Sequence, residues 1–492
     1  MADKNPNKSR RRPVENVKPT SEVEDVSASK RATKTPPKPK KSEITTYKSA
    51  IKWLLGRTDI ERLRVLKYTD ETFKLDRMRA ILDALGNPQE QFRAIHVGGT
   101  NGKGSTVAMI SAMLQHCGYA VGEFTSPHLI DVRERISING VPVARQDFTD
   151  LTKRVAEICE KIGEEPTYFE VLTAVGFLAF TEQAVDVGII ECGLGGRLDS
   201  TNVIMPVLSI ITQVQFDHTN LLGKTLEEIA TEKAGIFKPG VPAITLSQDD
   251  AVEQVLRDTA ERVGTTLRIV DKDVEFSSRF CSTDELGPHT RVCLYTGTSR
   301  LEHLPVPLPG EHQAQNCGVA LAAVDHLKSI GFDCPEEVVT AGLSNTSIKG
   351  RMDLIWEQPR ILVDGAHNPE ALGALMRCVG SHVPYDSMVC IFGCCQDKDV
   401  DALLASVNLG ADKVIFTKSN YSPRACEPED LRKAFSELSG KMCQTAPNIK
   451  EALQLAARAV SREDLICVTG SFYLVGDTIR HIDAVKKAQE AS

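Results

Sequence analysis

The sequence predicts an α/β protein in which two domains, each built on a mostly parallel sheet, follow one another along the chain. Three observations carry this expectation. Short apolar runs alternate with longer amphipathic stretches from about Thr45 onward. Several of those runs stop at glycine-bearing turns that open directly into helical periodicity, the strand-loop-helix rhythm of parallel sheets. The length, 492 residues, exceeds what one hydrophobic core ordinarily organises.

Residues 1–45 mix Lys, Arg, Pro, Ser and Thr with scattered Val and cannot bury enough apolar surface to offset chain entropy, so a disordered tail is expected there. Ala94-Ile95-His96-Val97 reads as a short buried strand ending at glycines, and Thr106–Gly118 follows with Val107, Ile110 and Met113-Leu114 at helical spacing. Val185–Ile190 is a second such strand, broken at Gly193-Leu194-Gly195-Gly196, and Val207–Thr212 is a third that delivers Gln213–Thr219 at its end. Ligand sites in open α/β sheets lie outside the C-terminal ends of the strands, so these three loops should converge on one crevice. Residues 246–310 differ, with strands such as Arg291–Tyr295, polar turns and a Pro-rich stretch at Leu304–Gly310, and read as a peripheral sheet on the first domain. After a helix at His312–Ile330, strands at Arg360–Val363, Met388–Phe392, Lys413–Phe416 and Asp464–Val468 build a second α/β domain. The expected divisions are therefore 1–45, 46–346 and 347–492.

Composition narrows the class. The chain is 41% hydrophobic and 25% charged, ordinary for a globular protein. Its net charge is −8, yet residues 1–41 carry twelve Lys and Arg against five Asp and Glu, so only the tail is basic. Arg10-Arg11-Arg12 and Lys38-Pro39-Lys40-Lys41 are read as a solvated extension, not a nucleic-acid surface. No stretch approaches eighteen consecutive apolar residues, and the first forty lack a secretory apolar segment, so a cytoplasmic protein without a membrane partner is expected. The fourteen cysteines are scattered, and the one cluster, Cys390, Cys394 and Cys395, has no neighbouring His; free, mostly buried thiols fit better than a zinc site.

The clearest chemical mark is Gly98-Gly99-Thr100-Asn101-Gly102-Lys103-Gly104-Ser105-Thr106. A glycine-rich turn between strand and helix points backbone N–H groups at phosphate oxygens while the helix dipole favours negative charge. Lys103 would reach the β- and γ-phosphates and the Ser105 hydroxyl a Mg²⁺ ion. The spacing departs from G-x-x-x-x-G-K-[ST], since Gly104 separates Lys103 from Ser105 and Val97 stands where a glycine is usual. The rival reading is a glycine-rich linker, which the strand before it and the helix after it argue against.

Further motifs follow in order: Thr125-Ser126-Pro127-His128-Leu129 with Glu134-Arg135-Ile136, Glu191-Cys192-Gly193-Leu194-Gly195-Gly196-Arg197-Leu198-Asp199-Ser200-Thr201-Asn202, Asp217-His218, Glu232-Lys233-Ala234-Gly235-Ile236, Asp364-Gly365-Ala366-His367-Asn368-Pro369 and Thr469-Gly470-Ser471. This ordered set resembles the folylpolyglutamate synthase and dihydrofolate synthase family of the Mur ligase superfamily, over about residues 46–480. The resemblance implies a P-loop-containing Mur ligase ATPase domain followed by a smaller Rossmann-like α/β C-terminal domain. It implies ATP and Mg²⁺ as cofactors, with K⁺ a further candidate. Ser126, Pro127 and His128 would belong to the substrate loop, and Ser105, Glu170 and His218 would hold the metal. Thr100, Asn101, Gly102, Lys103, Gly104, Ser105 and Thr106, joined by Asn316, Arg351 and Asp364, would bind the nucleotide. Lys103, Lys233 and His367 would be catalytic, Lys233 as a carbamoylated lysine whose added oxygens face metal. Where the family usually reads Pro-Gly-Arg, this chain has Lys349-Gly350-Arg351, which keeps the arginine and alters the hinge.

Each residue also has a plainer reading. Glu170, at the head of the apolar stretch Val171–Phe180, would by itself be a partner for the helix dipole. Lys233 would be a surface ion-pair residue and Asp364-Gly365 a turn. The expected chemistry is phosphorylation by ATP of a pteroate-type or folate γ-carboxylate, then attack by the amine of L-glutamate on the acyl phosphate, in a monomer that positions reactants and neutralises charge. A nucleotide kinase would leave the second domain unexplained. A cell-wall ligase acting on a UDP-sugar peptide would not call for the Ser126-Pro127-His128 loop. A nucleic-acid-binding protein would use the basic tail alone. Which pterin acid is the substrate has no motif to answer it.

Overall fold

The computed structural model describes residues 44–59, 75–422 and 424–490. The first sheet contains β1 (Arg93–Gly98), β2 (Val121–Phe124), β3 (Ile136–Ile138), β4 (Val141–Pro142), β5 (Val187–Glu191), β6 (Leu208–Ile211), β7 (Ala243–Leu246) and β8 (Leu267–Val270), in the order β4-β3-β2-β5-β1-β6-β7-β8. The six strands from β2 to β8 in that order run parallel, and antiparallel β3 and β4 finish one edge. Strands buried on both faces read as unbroken apolar runs, and β5 is buried along its whole length.

Helices cover both faces. On one, the helix Lys103–His116 packs with Glu311–Ser329 and Glu336–Ser344 around Ile95, Val97, Ile110 and Leu321. On the other, Tyr168–Glu182 carries Phe177 and Phe180 against Phe92 and is itself covered by the helices Tyr47–Leu55, Leu75–Ala84 and Arg145–Ile162. Tyr168–Glu182 is apolar around its circumference because it is sandwiched. Its start is set by a capping box, in which Thr167 accepts from the Glu170 N–H and the Glu170 carboxylate accepts from the Thr167 N–H.

Residues 246–310 divide differently from the expectation. Ala243–Leu246 and Leu267–Val270 join the main sheet as β7 and β8, and only the stretch after them forms a separate antiparallel meander. Its strands are β9 (Glu275–Thr283), β10 (Gly287–Tyr295) and β11 (Arg300–Pro305), with Val292, Leu294 and Leu301 buried against the helix Glu311–Ser329.

The last sheet holds β12 (Asp353–Glu357), β13 (Arg360–Val363), β14 (Met388–Phe392), β15 (Lys413–Phe416), β16 (Met442–Thr445) and β17 (Leu465–Thr469), ordered β12-β13-β17-β14-β15-β16. All but β12 are parallel. Most of the expected tail lies outside the described residues; Ile44, at its end, is buried in the core beneath Tyr168–Glu182. All fourteen cysteines are free thiols, ten of them buried. Among the described residues no helix is long and apolar enough to cross a membrane.

Candidate active site

The ends of β1, β5 and β6 lie side by side and open on a cleft of about 1150 Å³, closed from the opposite side by the turns that follow β13, β14 and β17. The phosphate loop forms its floor. Gly102, with φ 89°, caps the helix Lys103–His116 without a side chain, so the first-turn N–H groups are left for a ligand. A side chain at Gly102 would also overlap Asn316 Oδ1. The loop is stitched to the segment after β6: the Thr100 N–H donates to Gln213 O at 2.7 Å, the Thr100 hydroxyl to Gln215 O at 3.1 Å, and the Asn101 amide to Gln215 Oε1 at 2.6 Å.

Two ammonium groups meet on this loop. Lys103 Nζ donates to Gly99 O and Thr100 O, both at 3.1 Å, and Lys233 Nζ donates to the same Gly99 O at 2.8 Å. Burial, followed by repulsion from Lys103, lowers the Lys233 pKa to about 7. Glu191, the last residue of β5, is 3.9 Å from Lys103 and accepts the Ser126 N–H at 3.1 Å. It is only 3% exposed, and burial raises its pKa against the opposing pull of Lys103, the Ser126 N–H and Arg351.

Asp217 binds the two sides together. It accepts from Lys398 at 2.5 Å and lies 3.7 Å from His367 Nε2 and 3.8 Å from His218 Nε2. Burial alone would raise its pKa, but His218, His367 and Lys398 hold the carboxyl well below the usual range. The His218 ring lines the cleft with its side chain 38% exposed, and loss of solvation there, joined by Lys398 and His367 and opposed by Asp217, lowers its pKa to about 4. Its backbone sits at φ 50°, a sparsely populated region for a residue with a side chain.

On the C-terminal side, Arg351 stacks 4.8 Å from the Phe472 ring centroid, and His367 packs 5.4 Å from the same ring while its Nδ1 meets Gly365 O at 2.9 Å. Asn368 caps the helix Pro369–His382 and donates to Asn101 Oδ1 at 3.0 Å, a direct bond between this turn and the phosphate loop.

The residues singled out from sequence therefore divide. Thr100 through Gly104 line the cleft, as do Ser126 and Pro127, joined by a cis peptide, and Glu170, His218, Lys233, Arg351 and His367. Ser105 and Thr106 are buried in the first helical turn behind the loop. His128 accepts from Arg135 Nε at 3.0 Å, and Asn316 is held by Gln313 beneath Gly102. Both oxygens of Asp364 accept backbone N–H groups, from Met352 and Ala366, so it shapes the turn beside Arg351. The Glu170 carboxylate is likewise occupied: it receives Arg77 in a bidentate pair at 2.9–3.0 Å in addition to the Thr167 N–H.

Four site residues escaped sequence reasoning. Glu191 is a lone carboxylate ending an apolar strand, a pattern that would have exposed it. Asp217 stood inside a motif without a role of its own. Lys398 and Arg77 carry no local signal, and only the fold brings them to the cleft.

Residues 97–324 match the Mur ligase middle domain and residues 350–472 the Mur ligase glutamate ligase domain. The dihydrofolate synthase/folylpolyglutamate synthase of Bacillus subtilis is 35% identical over 441 residues, which cover 88% of this chain and 98% of the relative. A structure of Mycobacterium tuberculosis folylpolyglutamate synthase complexed with ADP and AMPPCP aligns with a TM-score of 0.77 at 32% identity, covering 84% of this chain and 96% of that one. A structure of Escherichia coli FolC in complex with DHPP and ADP aligns with a TM-score of 0.78 at 28% identity, covering 91% and 100%. With a nucleotide cradle, a facing C-terminal domain and relatives matched along nearly their whole length, the chain belongs to the dihydrofolate synthase/folylpolyglutamate synthase family of Mur ligases, which are ATP-dependent ligases.

Proposed function

We propose that this protein adds L-glutamate both to dihydropteroate and to the γ-carboxylate of a folate, through an acyl phosphate made from ATP. The observation that carries this reading is the convergence of Lys103, Lys233 and Glu191 on a phosphate loop bonded directly to Asn368 of the facing domain. Such a cleft can hold a nucleotide and a second anion together and enclose both. One arm of it offers Phe169, Leu75 and Leu198 to a flat ring, with Asp199 and the Arg77–Glu170 pair as polar groups beside them.

Transfer of a phosphoryl group to a carboxylate brings like charges together, so fixed cations must offset their repulsion. Lys103 can leave the loop carbonyls for the β- and γ-phosphates, and Arg351 faces them from the other domain. Asn316 and Asp364 act at one remove, by fitting under Gly102 and by setting the turn beside Arg351. Glutamate arrives with two carboxylates, and His367, Lys398 and Arg424 line the side from which its amine would attack. Enclosure of the cleft keeps water from the acyl phosphate.

Among the described residues no group of three or more His, Cys, Asp or Glu side chains is gathered as a metal site, so a magnesium ion, which prefers hard oxygen ligands, would draw on a hydroxyl and on the nucleotide as well. Ser105 and His218 would hold it together with Glu191, whose buried carboxylate stands beside Lys103, in place of Glu170, whose oxygens already serve Arg77 and Thr167. When bound, the ion would supply positive charge to the transferring phosphoryl group. Lys233, with a pKa near 7 and no room for a hydrated ammonium, is suited to react with CO₂ as the neutral amine and carry a carbamate. K⁺ would be a further counter-charge. We place the enzyme as a monomer in the cytoplasm.

Three measurements test this reading. ADP release by the purified protein with L-glutamate should be promoted by dihydropteroate and by tetrahydrofolate and not by a UDP-muramoyl peptide; turnover with only one pterin acid overturns the dual activity, and turnover with neither overturns the proposal as a whole. Glu191→Gln should lower the Mg²⁺-dependent rate roughly hundredfold or more. Glu170→Gln should chiefly raise KM for the pterin acid; a reversed pattern would return the metal to Glu170. Because the Lys233 amine is neutral only above about pH 7, turnover should rise through that pH and increase when bicarbonate is added to CO₂-free buffer. Lys233→Ala should lose both responses, and a wild-type rate indifferent to bicarbonate rules out the carbamate.

A further inference from the structure

The substrate loop Thr125–Arg135 has a second set of contacts that its role at the cleft does not require. Its tip points away from the phosphate loop and into the C-terminal domain. Leu129 and Ile130 pack with the core that includes Val475 and Ile479 of the helix Phe472–Glu490. Arg480, one turn along that helix, donates to Ile130 O at 3.1 Å and to Leu129 O at 3.3 Å. The Leu129 carbonyl lies against Gly476 so closely that a Cβ there would overlap it, and the Leu129 side chain reaches Gly350 at the domain junction.

The groups on both sides are themselves held. Arg480 is paired with Asp477 at 2.8 Å, Asp477 accepts from Ser419 at 2.6 Å, and the guanidinium lies 4.7 Å from the Tyr421 ring centroid. Within the loop, Glu134 accepts the N–H groups of Leu129, Ile130 and Asp131 at 2.7–3.0 Å, which turns both carbonyls of the tip outward. A loop braced by its own carboxylate thus presents two carbonyl acceptors to one fixed arginine.

We infer that Arg480 and the Gly476 notch form a latch that holds the substrate loop in its cleft-lining position only when the two domains are apposed, so that Arg480 is a positioning residue for the pterin acid. Three residues before Leu129, Ser126 donates its N–H to Glu191 and lines the cleft with Pro127. Loop order, domain apposition and a complete acid site are then one equilibrium. An enzyme whose loop is docked for only a fraction of the time binds its acid more weakly by that fraction. Nucleotide binding draws chiefly on the phosphate loop of the first domain, with Arg351 and Asn368 meeting it across the junction, and so bears a smaller part of this penalty.

The inference rests on the ligase reading for its substrate, and the test separates the two. Hydrogen exchange of the segment 125–135 reads the latch without turnover, and steady-state kinetics reads its consequence. Arg480→Met should speed exchange in that segment, leaving the core strands β1 and β5 protected. It should also raise KM for the pterin acid about tenfold or more, with KM for ATP raised by a much smaller factor and kcat within a few-fold. Arg480→Lys, which keeps a donor, should recover part of both. Gly476→Ala reaches the same end by crowding Leu129 and leaves Arg480 in place, so it decides the matter should Arg480→Met fold poorly. Unchanged exchange of 125–135 in the variants overturns the latch, and so does faster exchange with an unaltered KM for the acid. A wild-type protein inactive on every pterin acid would instead defeat the ligase reading, and the exchange result would still stand.

Discussion

The grip of two lysines on one carbonyl organises the site. Lys103 and Lys233 come from different helices, and both donate to Gly99 O, so a single backbone oxygen holds two lysine amino groups at the loop that opens the first helix of the cleft. The arrangement is costly when both groups are protonated, and the low pKa of Lys233 records first its own burial and then the repulsion of the partly buried Lys103. Glu191 supplies the only buried carboxylate beside Lys103 among the described ion pairs, which offsets part of the positive charge gathered at the loop.

From that grip the architecture follows outward. β1 has β5 and β6 as its neighbours, so the phosphate loop, Glu191 and the Asp217–His218 pair emerge from adjacent strands without any long reach. The facing domain then meets them at three separated points, Asn368 on Asn101, Lys398 on Asp217 and Arg480 on the substrate loop. Each contact pairs a residue that lines the cleft, or a near neighbour of one, with a residue more than a hundred positions away. Apposition of the domains and assembly of the site are therefore the same physical event.

Much of this was legible in the sequence, and its limits have physical causes. The strands Arg360–Val363, Met388–Phe392 and Lys413–Phe416 stand where the apolar runs place them, because parallel strands buried on both faces leave an unmistakable pattern. β7 and β8 were less distinct, since Thr245 and Arg268 interrupt their apolar runs and polar turns flank them. At the site, Thr167-Tyr168-Phe169-Glu170 already spelled a capping box, and the structure shows Glu170 serving that local purpose together with Arg77. The convergence of Lys103 with Lys233, separated by 130 positions, and the docking of Leu129 against Gly476 depend on how distant segments fold together. No local pattern announces them.

Direct evidence for the chemistry comes from the fate of the carboxylate oxygen. With dihydropteroate labelled with ¹⁸O in its carboxyl group, the acyl phosphate route transfers one labelled oxygen to each inorganic phosphate released as the amide forms. Phosphate carrying one ¹⁸O per turnover is the predicted result. Amide formation with release of unlabelled phosphate would contradict activation of the acid by phosphoryl transfer at the Lys103–Glu191 centre.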